Sequence, residues 1–325
     1  MEKGRIAYHL LAFLVVALWG ITFISTKVLI SGGLHPAGIF AIRFTIAYIG
    51  IWLLCLVSGG RKRPGAAQDT KLWSGSIRDE IIFVLLGVTG GSMYFLTENT
   101  ALSCTQACNV SFIVCSAPLL TAILTLVARK FLHGPLIDGL EDVRIAWPLV
   151  VGTILAMGGM AAVLFDGRNT EAALSAAGAG MNMKGGLLAF AAACCWAFYS
   201  LLMSQMTERY GALFATRKVF FWGLVTIIPF LPGTSPDISV FLQPRIWGNL
   251  LFLSIIASLA CFVLWNKVMA RLGNVTSTNY VYLNPFFTLV FAAAILGESL
   301  TPVSAIGCIS IVLGVIIGGL KPSRS

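Results

Sequence analysis

Apolar residues along this chain come in runs of about twenty, broken by short clusters of glycine, proline and charge. A bilayer core of about 30 Å needs roughly 20 apolar residues per helix, so each run predicts a membrane-crossing helix. Ten are predicted, at about 6–31, 36–58, 78–101, 104–128, 145–166, 184–206, 212–232, 247–270, 274–297 and 301–320. The connectors carry turn and charge signals, as in Gly59-Gly60-Arg61-Lys62-Arg63-Pro64 and Pro232-Gly233-Thr234-Ser235-Pro236. The longest, 59–77 and 167–183, are too short for a folded domain. Lys3 and Arg5 precede the first run as they would in a signal peptide. That run continues to Ile30 with no Ala-x-Ala site after it, and reads as a retained helix. The predicted fold class is an all-α polytopic membrane protein.

Composition agrees. Of 325 residues, 58% are hydrophobic and 11% charged, against about 25% charged in a soluble domain. Disorder, a coiled coil and a disulfide-stapled scaffold are excluded, and too little polar surface remains for a water-soluble enzyme. The formal net charge of +9 would suggest a nucleic-acid partner in a soluble protein. Here it reads as topology. With the N-terminus inside, seventeen of the 22 cations fall on the cytoplasmic side, Arg168, Lys184 and Arg245 lie outside, and Lys27 and Arg43 lie within spans. This predicts an inner-membrane protein with both termini cytoplasmic and no nucleic-acid partner. The eight cysteines lie almost wholly in spans, without a Cys-x-x-Cys pair, and read as packing residues.

The two halves align. Trp19 matches Trp196, and Phe40-Ala41-Ile42-Arg43 matches Phe214-Ala215-Thr216-Arg217. Phe95, Asn99, Pro118 and Thr121 match Phe262, Asn266, Pro285 and Thr288, while Gly152 and Gly159 match Gly307 and Gly314. The separation only shrinks along the series, from 177 to 155 residues. A unit of five helices is odd, so the second copy begins on the opposite side and the two are inverted. The expected organisation is a first repeat over 1–166, an extracytoplasmic connector over 167–183 and a second repeat over 184–325. Inverted repeats are a secondary-transporter architecture, with a midplane site between halves that rock.

Leu18-Trp19-Gly20, Pro36 followed by Arg43, Pro118, Pro285 and Gly297-Glu298 together resemble the EamA type of the drug/metabolite transporter superfamily. The resemblance spans nearly the whole chain as two EamA units. It implies an inner-membrane carrier for amino acids, metabolites or toxic compounds, often an exporter, with a hydrophilic cavity lined chiefly by helices 1, 3, 4, 6, 8 and 9.

Intramembrane polar groups are the candidate chemistry, because a charge at the bilayer centre costs about 2.5–3.5 kcal/mol. Lys27, five residues after Thr22, either pairs an anionic substrate group or snorkels outward. Arg43 and its counterpart Arg217 read first as structural, bonding loop carbonyls or helix ends. Glu98 is either a proton-coupling carboxylate or a water-exposed cap, and Glu298 is a structural helix-end acid. Asn99, Asn109, Asn279 and Tyr282 either line a site or bond between helices. Trp19, Trp196, Tyr199 and Trp265 either stack a planar or cationic ligand or simply pack. Pro118 and Pro285 fall inside spans and predict hinges that free carbonyls. Gly158-Gly159, Gly318-Gly319, Gly152 and Gly314 predict close helix contact.

There is no P-loop run and no His-Glu-x-x-His, and His9, His35 and His133 are scattered. No catalytic residue, metal site or cofactor is predicted. The expected partners are a small-molecule substrate and the lipid bilayer, with proton coupling and monomer versus homodimer left open. A channel-like facilitator is the alternative, and a membrane-embedded enzyme a weaker one.

Overall fold

Proline opens three of the helices, at Pro36, Pro244 and Pro302, because the first turn has no use for the N–H that proline lacks. The computed structural model describes residues 2–59, 69–104, 107–131, 147–164, 183–233, 238–296 and 302–318, and all regular structure among them is helical. We label the elements α1 (Glu2–Ser31), α2 (Pro36–Gly59), α3 (Ile77–Cys104), α4 (Ala107–Val114 and Ala117–Phe131) and α5 (Trp147–Leu164). They continue as α6 (Met183–Tyr210), α7 (Ala212–Ile227), α8 (Pro244–Leu272), α9 (Asn274–Thr278 through Asn284–Leu296) and α10 (Pro302–Gly318). Among the described residues six segments are long and apolar enough to cross a membrane: Arg5–Ser31, Pro36–Val57, Ile77–Cys104, Lys184–Tyr210, Ala212–Phe230 and Pro244–Leu272. Exposed Leu10, Phe13, Leu53, Ile81, Phe190 and Ile309 keep the outer surface apolar, as hydrocarbon requires of a lipid-facing helix. The chain is thus an all-helical, multi-pass membrane protein. Glu298 and Gly319 lie outside the described residues.

Single glycines join α6 to α7 and α8 to α9. Gly211 and Gly273 take φ of 85° and 90°, a region side chains avoid, which lets each helix reverse within one residue. Packing is crosswise between the halves: α1 lies against α8 and α9, α6 against α3 and α4, α2 against α8, and α7 against α3. The end of the bundle that holds the start of α1 and the end of α6 is called lower here, and the other end upper.

Two helices widen to nearly one more residue per turn over part of their length. The π segments Val88–Ser92 in α3 and Phe252–Ala260 in α8 release backbone groups from the α-helical ladder. α4 and α9 are also interrupted, at Cys115-Ser116 and over the 3-10 segment Asn279–Leu283. Both breaks lie just before Pro118 and Pro285, which cannot bond to the carbonyl four residues back. At Pro285 that carbonyl is Val281 O, and it accepts from the Cys115 thiol at 3.3 Å. The freed carbonyl expected at this proline is therefore occupied by α4, and Cys115 is a hydrogen-bond donor as well as a packing residue.

α5 packs against α10, and the glycines there separate cleanly. A Cβ on Gly159 would sit 2.4 Å from Gly307 O and 2.9 Å from Ile311 N, whereas one on Gly158 meets nothing within 4 Å. Gly159→Ala is expected to lower stability by about 1–3 kcal/mol, the usual cost of overpacking against backbone. Gly158→Ala is expected to be neutral or slightly stabilising. Thermal denaturation in detergent distinguishes them, and equal melting temperatures would refute the close approach.

Candidate functional site

The helices line a small, partly open cavity of about 30 Å³ towards the upper half of the bundle, space for a water or two. Its apolar wall is aromatic: Trp19 and Phe23 from α1, Tyr94 and Phe95 from α3, Trp196 from α6 and Phe262 from α8. Trp19 and Trp196 meet edge to face at 5.4 Å between centroids, and Tyr94 lies 5.2 Å from Trp196. Such pairs hold the rings with about 0.5–1.5 kcal/mol each beyond their area. Arg43, Glu98, Thr22 and Asn284 supply the polar lining.

Arg43 is only 3% exposed. Its Nε donates to Ser258 Oγ at 2.5 Å and Leu253 O at 3.2 Å, and its guanidinium lies 4.6 Å from the Phe95 ring centroid. Trp19 Nε1 donates to Ala257 O at 3.1 Å. Leu253, Ala257 and Ser258 all belong to the π segment of α8, so the widened turn provides the acceptors that hold two cavity residues of the first half. Glu98 is 7% exposed and accepts from the Tyr94 hydroxyl at 2.8 Å, one helical turn away. Arg43 and Glu98 act on each other electrostatically rather than through a shared hydrogen bond. A basic and an acidic group thus face one desolvated space, each fixed by other bonds.

Several expected residues meet here and others do not. Trp19, Thr22, Glu98 and Trp196 line the cavity. The water-exposed cap reading of Glu98 is corrected: the carboxylate is buried because α3 continues past it to Cys104. Arg43 bonds a carbonyl, as a structural arginine would, but it also lines the cavity. Asn99 is committed to Pro36 O at 3.1 Å and stands outside the lining. Tyr199 donates to Asn266 Oδ1 at 2.6 Å and supports Trp196 from behind. Asn279 and Tyr282 are buried without reaching the lining. The Asn109 side chain lies outside the described residues. Lys27 donates to Leu102 O at 2.5 Å and borders a wider opening of about 400 Å³ at the upper end, with Arg245 and Gln243. Tyr94, Phe95, Phe262 and Asn284 were not singled out as site residues. Tyr94 alone left a signal, its i,i+4 spacing from Glu98.

The lower end is tied by ion pairs. Asp79 on α3 accepts from Arg209 at 2.8 Å and from the Tyr210 hydroxyl. Glu80 accepts from Lys218, from Trp222 Nε1 at 2.9 Å and from Ser74 Oγ at 2.9 Å. Arg217 donates to Lys71 O and lies 4.1 Å from the Trp52 ring centroid. These contacts fasten α3 and the segment before it to α6 and α7.

A polytopic helical bundle around a small aromatic cavity that holds two charges, with an opening near one end and ion pairs across the other, fits a membrane transport protein. The chain belongs to the EamA-like transporter family, whose model matches residues 6–132 and 183–319. An uncharacterized transporter of Archaeoglobus fulgidus is 25% identical over 96% of this chain and 97% of its own. A protein of Streptantibioticus cattleyicolor named a probable terminal-alkyne amino-acid exporter is 26% identical, over 94% of this chain and 90% of that one. A probable amino-acid metabolite efflux pump of Salmonella typhimurium is 25% identical, over 94% and 93%. A solved crystal structure shares the fold with a TM-score of 0.66 at 20% identity, over 96% of this chain and 97% of that one. The family and these relatives are named as transporters, not enzymes.

Proposed function

We propose that this chain is a secondary exporter of small zwitterionic metabolites of the amino-acid kind, working by alternating access around the Arg43–Glu98 cavity. The observation that carries the reading is that cavity: two buried opposite charges and an aromatic wall, contributed by helices from both family matches. Arg43 would meet a carboxylate, Glu98 an amine or a proton, and the aromatic wall an apolar side chain. The names of the two relatives above agree with this class. The narrowness of the space, about 30 Å³, and the ion pairs across the lower end favour a carrier over an open channel, since a carrier exposes its site to one side at a time.

The architecture proposed is ten membrane-crossing helices in two inverted repeats, 1–166 and 184–325, with the lower end and both termini cytoplasmic in the inner membrane. Supporting it, the π segments Val88–Ser92 and Phe252–Ala260 occupy matching places in the two halves, as do the breaks before Pro118 and Pro285. Pro118 and Pro285 would serve as hinges. Lys27 would hold the top of α3 through Leu102 O rather than bind solute directly.

Purified protein in liposomes is expected to move members of an amino-acid panel, with the flux changed by an imposed pH gradient. Transport of none of them would overturn the reading. Glu98→Gln keeps an acceptor for the Tyr94 hydroxyl but cannot take up a proton, so it is expected to retain exchange and lose the response to the gradient. An unchanged response would remove Glu98 from the coupling step.

A further inference from the structure

Among the described residues eleven buried polar side-chain atoms lack a hydrogen-bond partner, and six of them form two stripes: Trp196 Nε1, Ser200 Oγ and Thr207 Oγ1 on α6, and Asn274 Oδ1, Ser277 Oγ and Asn284 Oδ1 on α9. All six residues are more than nine-tenths buried. Their spacing is not random. Trp196, Ser200 and Thr207 stand at i, i+4 and i+11 on one face of α6, and Asn274, Ser277 and Asn284 at i, i+3 and i+10 on α9. Asn274 Nδ2 donates to Leu201 O at 3.0 Å, which ties the two stripes together. Their upper members, Trp196 and Asn284, line the cavity. Their lower members sit at the ion-paired end, Thr207 three residues before Tyr210 and Asn274 two residues after Leu272.

A buried hydroxyl or amide with no partner costs about 1–3 kcal/mol, and protein interiors rarely hold such atoms in a group. Alanine would pack here at no such cost. Polar atoms left unpaired in the closed arrangement are explained by an open one in which water meets them, and intramembrane polar residues mark solute pathways. None of the six is ionisable in the working range, so the charges of a solute would be met in the cavity by Arg43 and Glu98 and not along the stripes.

We propose that the seam between α6 and α9 is the lower half of the transport path, shut in this structure and water-filled when the protein faces the other way. The inference rests on the carrier reading above. The lock that shuts it is the Asp79–Arg209–Tyr210 tie at its foot, which must part before α6 can leave α3.

The test is side-specific labelling of the full-length protein in oriented vesicles with a membrane-impermeant thiosulfonate, read against the background of the native cysteines. Ser200→Cys and Ser277→Cys are near-isosteric and report from the seam, and Thr22→Cys reports from the cavity. In an Asp79→Asn background, both seam cysteines are expected to react from the lower side only, about tenfold faster than with Asp79 present, a population shift of about 1.4 kcal/mol. Glu80→Gln serves as a second opener, and size-exclusion profiles establish that each variant is folded. If Thr22→Cys reacts from both sides while the seam cysteines react from neither, the path runs elsewhere and the carrier reading stands. If Thr22→Cys reacts from one side alone in every background, both readings fail together.

Discussion

Replacing Arg43 by glutamine is expected to abolish transport and to lower stability by about 3–5 kcal/mol, the usual cost of removing one partner from a buried charge pair. The guanidinium is almost wholly buried, and its loss leaves Glu98 without the one cation that faces it from α2. It also strands Ser258 Oγ and Leu253 O on the π segment of α8, whose carbonyls have already left the α-helical ladder. Glu98→Gln is a smaller change, since an amide oxygen still accepts from the Tyr94 hydroxyl. The double substitution Arg43→Gln with Glu98→Gln should therefore be more stable than Arg43→Gln alone, yet still inactive. Thermal unfolding in detergent with proteoliposome flux measures both parts. A folded Arg43→Gln protein with wild-type flux would refute the assignment of the cavity.

At the lower end, Lys218→Met is expected to cost about 3 kcal/mol and Arg209→Met about 1 kcal/mol or less. Both cations pair with α3 carboxylates, at Glu80 and Asp79, so a count of ion pairs would rank them equally. Burial separates them. The Lys218 side chain is 4% exposed and also donates to Leu72 O at 3.1 Å, beneath the Trp73 ring. Arg209 is 58% exposed, and water replaces most of what its partner loses. Melting temperatures of the two variants are the measurement, and equal losses would show that the lower end is hydrated in the resting protein. Because Arg209 belongs to the tie that holds the seam shut, Arg209→Met should alter flux even though it costs little stability.

Much of this was legible in the chain. Long apolar runs place helices because hydrocarbon tolerates no unpaired backbone, and the six segments long enough to cross a membrane lie within a few residues of six of the expected spans. Pro118 and Pro285 located the breaks in α4 and α9, a local effect of a missing N–H. Trp19, Thr22, Glu98 and Trp196 were named and do line the cavity. Harder to see was what each polar group would bond to. Asn99 and Tyr199 had every mark of site residues, but their partners, Pro36 O and Asn266 Oδ1, lie 63 and 67 residues away. Glu98 has the same composition of neighbours whether it caps a helix or is sealed inside a bundle. The π segments were not foreseen either, and Phe252–Ala260 reads along the chain as ordinary apolar helix.

By itself, then, the sequence determined the solvent, the class of fold and the candidate list, because hydrophobicity and proline act through a residue's immediate neighbours along the chain. Tertiary structure decided which candidates share a space. Arg43 passed from helix-end scaffold to cavity wall once α8 brought Ser258 against it. Lys27 passed from solute contact to a tie on Leu102 O. The stripe of unpartnered hydroxyls between α6 and α9 exists only because two helices far apart in the chain close on one another. Each of those outcomes depends on the partner's position in space, and spacing along one helix carries no information about it.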